Sequence, residues 1–216
     1  MQLSQFLQIP RPIITMWVII AVLAVFSILA TKNLKEVPGP IQNAAESAIE
    51  FLQGFFAGII GEKTMRRYFP LFATMFIFII VSNYSGLLPG AGDFFAVATA
   101  SLSVTAGLGI VVFIMTHVIG IQNRGVGGYL KTFIAPVAIM LPFTLIDQIV
   151  RPFSLALRLY GNMYAEEQVT EQLRGIFPLL APLVMQVLSL IFCLIQAMVF
   201  TMLMAVYIGE AVGEEE

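Results

Sequence analysis

The chain has 216 residues, 59% of them hydrophobic and only 11% charged, with a formal net charge of −2. Soluble domains carry about 25% charged residues, so a soluble globular enzyme is excluded and an integral membrane protein is expected. Its apolar runs are continuous rather than alternating, which predicts helices rather than a barrel. A single histidine, His117, and a single cysteine, Cys193, leave no metal site built on two histidines and no internal disulfide.

Residues 1–10 carry no positive charge, and Arg11-Pro12 leads into an apolar run over 13–30 with Trp17 as an interface anchor. The run is long enough to span a bilayer, so it reads as an uncleaved first span. Thr31 to Pro40 is a loop by its Pro and Gly content. Over 41–58, Ile41, Ala45, Ala48, Ile49, Leu52, Phe55 and Phe56 recur at helical spacing, opposite Gln42, Glu46, Glu50 and Gln53. That pattern predicts an amphipathic helix at the membrane surface. A basic loop, Glu62 to Arg67, precedes a second span over 69–88, which ends at Pro89-Gly90. A turn with Asp93 leads to a third span over 95–119, and Ile121 to Lys131 forms the next loop. A long helix over 133–173, broken by Pro136, Pro142 and Pro152, carries most of the intramembrane charge. A last helix spans 176–208, and Gly209 to Glu216 is a solvated acidic tail. The whole is one membrane domain: five membrane-embedded helices and one surface helix.

Seven of the eleven Lys and Arg residues lie in the stretches 31–68 and 120–131 (Lys32, Lys35, Lys63, Arg66, Arg67, Arg124 and Lys131). The positive-inside rule makes both stretches cytoplasmic, with the N-terminus outside and the C-terminus inside.

Arg158 is the most informative residue. Arginine keeps its charge under protein conditions. Placing it in a membrane helix costs from about 2.5 to over 10 kcal/mol. At 100° per residue, Asp147, Arg151, Ser154, Arg158 and Asn162 fall within roughly 80° of arc, Glu166 about 80° from Arg158 and Glu167 about 180° away. Asp147 and Glu167 each lie roughly 15 Å along the axis from Arg158, one toward each surface. Acids toward both surfaces with a fixed cation between them resemble two half-pathways separated by a barrier. The last helix adds Gln186, Ser189, Cys193 and Gln196 on one face. Such groups should face protein or water rather than lipid. Helix-helix packing is the competing explanation for Asn162, Gln186 and Ser189, and local ion pairing for Arg151.

Other chemistries find little support. Gly90-Ala-Gly92-Asp93 matches the Gly-x-Gly-Asp of intramembrane aspartyl proteases, but no Tyr-Asp partner occurs. Gly61-Glu-Lys63-Thr64 lacks the Gly-Lys adjacency and preceding strand of a phosphate loop. No nucleotide site is visible, no cofactor is implied and no nucleic-acid partner is expected. A secondary transporter would carry internal repeats, and none is visible.

The segment Arg151-Pro-Phe-Ser154-Leu-Ala-Leu-Arg158-Leu-Tyr-Gly-Asn162-Met-Tyr-Ala-Glu166-Glu167 resembles the signature of subunit a of bacterial F-type ATP synthases. Gln196 to Phe200, Val206-Tyr207, Pro40 to Glu50 and Asn83 to Pro89 are similar to other parts of that family. The resemblance implies a stator subunit of the F0 motor in the bacterial cytoplasmic membrane. Its partners would be lipid, the c-subunit ring, the b subunits of the peripheral stalk and the rest of the F0F1 complex. A helical hairpin over about 133–208 would be tilted and face the ring. Protons, or alternatively sodium ions, would cross through two offset half-channels and drive ATP synthesis, with no covalent chemistry in this chain. The resemblance makes Arg158 the essential arginine facing the ring's ion-binding carboxylate, Glu167 the outer half-channel acid, and Asn162 and Gln196 polar groups beside the arginine. Ser189 stands where some members carry a histidine or an acid, and Glu166 is expected to supply the polarity lost there. Many members carry a glutamate at the position of Thr144, and Asp147 is its expected substitute.

Overall fold

The computed structural model describes residues 11–31, 39–87, 97–134, 139, 141–176 and 180–213. Among them every element is helical. In chain order these are α1 (Arg11–Thr31), α2 (Pro40–Ile60), α3 (Glu62–Tyr84), 3₁₀ turns at Ser85–Leu87 and Ala98–Ala100, α4 (Leu102–Ile134), α5 (Leu141–Ile176) and α6 (Leu180–Val212). Residues 32–38 of the loop expected over 31–40, the turn over 89–94 with its Gly-x-Gly-Asp sequence, Pro136 and the last three residues lie outside the described residues, while Thr31 and Pro40 themselves belong to helices.

Among the described residues, three helices are long and apolar enough to cross a membrane: Glu62–Tyr84, Leu102–Phe133 and Leu183–Val212. The apolar part of α1, Pro12–Ile28, is shorter. α5 is long but charged, because Asp147, Arg151, Arg158, Glu166 and Glu167 all fall within it. Large apolar side chains point outward throughout, among them Trp17, Ile149, Phe153 and Ile191. In lipid this costs nothing, since hydrocarbon is as apolar as they are. The bundle is thus an all-α membrane fold.

α6 lies at its centre and packs on α2, α3, α4 and α5. Phe56, Phe72, Ile79, Val112, Leu155, Leu159, Phe200, Met204 and Ile208 are almost fully buried around it. Of the amphipathic face of α2, Leu52 and Phe56 reach this core, and the Phe56 ring lies 5.2 Å from that of Phe72.

Two of the expected loops are helical. Residues 62–67 form the first turns of α3, because one residue, Gly61 (φ 77°), makes the whole reversal from α2. Glu62 sits in the first turn, where the helix dipole favours an acid, and bonds Arg66 one turn on at 2.6 Å. Charge alone had marked this stretch as a loop. Residues 121–131 belong to α4, which bends at Gly125 (φ 70°, ψ 162°) and continues as a short second arm. That arm folds back so closely that Tyr129 lies against Gly120, where any Cβ would collide with its ring. The prolines do not break α5 either. Pro142 is in its first turn, where no backbone donor is lost. Pro152 lies inside the continuous helix, and its carbonyl oxygen would be 2.8 Å from a Cβ on Gly109 of α4. α6 runs on past residue 208 and ends at Gly213 (φ 73°).

Candidate functional site

α5 and α6 form an antiparallel hairpin, with Leu155, Ala156, Leu159 and Met163 of α5 buried and Ser154 and Arg158 exposed on its other side. Among the described residues no carboxylate lies within ion-pair distance of Arg158. The single polar face expected over 147–162 is divided in two. Ser154 and Arg158 point outward, whereas Arg151 turns back to α6 and Asn162 bonds to it, because long side chains reach for partners that the helix angle alone does not reveal. Small residues flank Arg158 along its exposed strip: Ser154, Gly161 and Ala165.

One turn along, Asn162 Nδ2 donates to Gln196 Oε1 at 2.6 Å. Gln196 is buried, and its own Nε2 has no partner. A further turn on, Glu166 lies near the buried Ser189 and Cys193 of α6. Glu166, expected to supply the polarity lost at Ser189, thus stands in its neighbourhood. Glu167 is exposed. The polar stripe on α6 loses Gln186, which is exposed, and keeps Ser189, Cys193 and Gln196 buried.

α3 completes this region with residues to which the sequence had assigned no role. Asn83 Nδ2 approaches the Cys193 carbonyl at 3.5 Å, and Tyr84 Oη donates to the Leu190 carbonyl at 3.1 Å. Asn83 Oδ1 and Ser82 Oγ are buried without partners, as is Thr99 Oγ1 in the 3₁₀ turn that packs on α3 and α5. A buried donor or acceptor left unmade costs about 1–3 kcal/mol. Such groups on α3 and α6, Asn83 near Cys193 and Gln196 one turn from it, suit water better than apolar packing. The available signal was an amide and a hydroxyl, Ser82-Asn83, inside an otherwise apolar span.

At the opposite end of the hairpin, Arg151 bridges to Glu210 on α6, stands 3.5 Å from Asp147, and lies over the Tyr207 ring at 5.1 Å from its centre. Asp147 is thus drawn to Arg151 rather than free. Glu210 is not part of a solvated tail, because α6 continues through Gly209 and brings it to Arg151. Arg124 donates to the carbonyls of Glu210 (2.9 Å) and Val212 (3.3 Å) and so satisfies the open end of α6. Arg67 Nη1 donates to Asn123 at 2.8 Å, and Asn123 to the Tyr68 hydroxyl at 2.6 Å. The start of α3, the bend of α4, the start of α5 and the end of α6 therefore meet at one basic end of the bundle. Among the described residues no group of three His, Cys, Asp or Glu side chains could hold a metal ion.

Fold and site together define a multi-pass helical membrane protein that presents outward an arginine with no carboxylate partner among the described residues, beside buried polar groups. The family model described as "ATP synthase A chain" matches residues 13–209. Among similar curated proteins, ATP synthase subunit a 3 of Pelobacter propionicus is 41% identical over 92% of this chain and 86% of its own length. ATP synthase subunit a of Geotalea daltonii is 40% identical over the same shares of each chain. ATP synthase subunit a 2 of Bradyrhizobium sp. is 36% identical over 95% of this chain and 90% of its own length. The chain belongs to the ATP synthase A chain family, that of subunit a.

Proposed function

We propose that this chain is the ion-conducting stator of the F0 sector, carrying protons between two half-channels that meet at Arg158 on the face it offers to a ring of c subunits. The observation that carries this reading is an exposed, permanently charged arginine with no carboxylate in range among the described residues. A membrane protein retains so costly a charge when a partner supplies the counter-charge. A carboxylate on the ring is neutral when protonated and can face lipid. Beside Arg158 it is favoured in its charged form, so the proton leaves. The fixed charge also repels free protons, which blocks direct leakage between the half-channels.

The small residues around Arg158 let a ring helix approach closely. The outer half-channel runs past Glu166, Ser189, Asn83 and Gln196, whose unpartnered groups bind water, and Glu167 stands at its mouth. Asn162 and Gln196 orient polar groups beside the arginine, and Ser154 lines the approach from the basic end. That end is cytoplasmic by the positive-inside rule. The b subunits hold the chain against the ring's drag. No covalent step is assigned to this chain.

Arg158→Ala is expected to abolish proton-driven ATP synthesis while the complex still assembles, as read by synthesis in energised vesicles and by recovery of all subunits on purification. Coupled synthesis by that variant would overturn the reading.

A further inference from the structure

At the basic end, a cavity of about 190 Å³ lies between the two arms of α4 and the α5–α6 hairpin. Its wall includes His117 and Thr132 from α4, Gln148 and Arg151 from α5, and Tyr207 and Glu210 from α6. One water needs about 10–15 Å³ of such space, so the cavity holds several. It exists because Gly125 folds the short arm of α4 back over the hairpin.

One guanidinium, Arg151, serves two carboxylates, Glu210 and Asp147. While it holds one of them, the other is open to a proton. The groups around Glu210 are Arg151 and Asp147 on α5, Tyr207 on its own helix, and Arg124, His117 and Tyr129 on α4. Tyr207, in the cavity wall, has the Arg151 guanidinium over its ring, 5.1 Å from the ring centre. Along α5 the two arginines are about 10 Å apart.

We propose that this cavity is a water-filled chamber of the inner half-channel and that Glu210 is the acid that exchanges protons with it. This rests on the ion-conducting role proposed above. In the loading step a hydronium in the chamber gives its proton to a Glu210 oxygen and becomes water. The Arg151 guanidinium keeps all its protons and shifts onto Asp147. On release, the Glu210 O–H bond breaks toward a water nearer Tyr207, and the carboxylate takes Arg151 back. Asp147 is then the alternative seat for Arg151 rather than the exchanging acid.

The test uses the whole ATP synthase in inverted membrane vesicles, where ATP-driven pumping draws protons through the cytoplasmic side. Glu210→Gln should lower pumping at least about tenfold, a modest loss for a positioned proton-transfer group, with Glu210→Asp recovering most of it. In a Cys193→Ser background, Gln148→Cys should react with a membrane-impermeant thiol reagent added from the cytoplasmic side, and the reaction should block pumping. Wild-type pumping by Glu210→Gln, or an unreactive Gln148→Cys, overturns the proposal. If Glu210→Gln does not assemble, the thiol result decides alone. Arg158→Ala separates the two ideas: if it stays coupled, the ion-conducting role fails. If it uncouples while Glu210→Gln pumps normally, only the chamber fails.

Discussion

Two side chains next to each other in sequence, Glu166 and Glu167, stand in different surroundings. Glu166 is partly buried near Ser189 of α6, and Glu167 is exposed. An acid partly buried inside a helix pair has fewer orientations open to it than an exposed one. Glu166→Gln is therefore expected to slow proton entry from the outer side more than Glu167→Gln does, as measured by passive proton uptake through F0 after the F1 part is stripped away. Ser189→Ala should slow it too, but should add little to Glu166→Gln, because substitutions at near neighbours are often not additive. Additive losses in the double variant would show that their proximity carries no part of the pathway. Arg158, Asn162 and Gln196 could be recognised from the sequence, because a charge or an amide in an apolar run calls for a reason by itself. Asn83 could be noted as an amide and as the start of a family-like segment, but not its neighbour, because that is the Cys193 carbonyl of α6, more than a hundred residues away in the chain.

The helices touch where glycines permit it. Gly109 lets α4 come close to α5, and a Cβ there would stand 2.8 Å from the Pro152 carbonyl oxygen and 3.2 Å from Ala156 Cβ. A backbone carbonyl does not swing aside as a side-chain tip does. Gly109→Ala is expected to destabilise the subunit by about 1–3 kcal/mol, the usual cost of overpacking. Gly107→Ala, with open space around it, should leave stability unchanged. Thermal unfolding of the purified complex in detergent compares them, and equal melting of the two variants would contradict the packing argument. The sequence indicated most of these helices but misplaced several of their ends. Hydropathy marks where a helix is apolar, not where it stops, so α3 began earlier and α4 and α6 ran on further than their apolar parts. The turns at Gly61 and Gly125 each need one residue with positive φ, and among many glycines nothing local distinguishes those two.

For the whole molecule, the basic end gathers Arg66, Arg67, Arg124 and Arg151 with the end of α6, through contacts that link α3, α4, α5 and α6. If that end is cytoplasmic, Lys131→Cys in a Cys193→Ser background should react with an impermeant thiol reagent only from the cytoplasmic side. Reaction only from the outside would reverse the orientation. A proton crossing the bilayer at 100 mV carries about 2.3 kcal/mol, so synthesis of one ATP draws on several crossings. The all-helical class and the charged fifth helix could be read from composition and spacing. The assembly of the basic end could not, because Arg124 caps a helix that begins more than fifty residues later.

The outward charge of Arg158 also bears on how such a chain is made. If a ring of c subunits supplies its counter-charge, a newly inserted copy without that ring holds the arginine against lipid, at about 2.5 to over 10 kcal/mol. Lone copies are then the unstable ones, and assembly runs most cheaply when the ring is complete first.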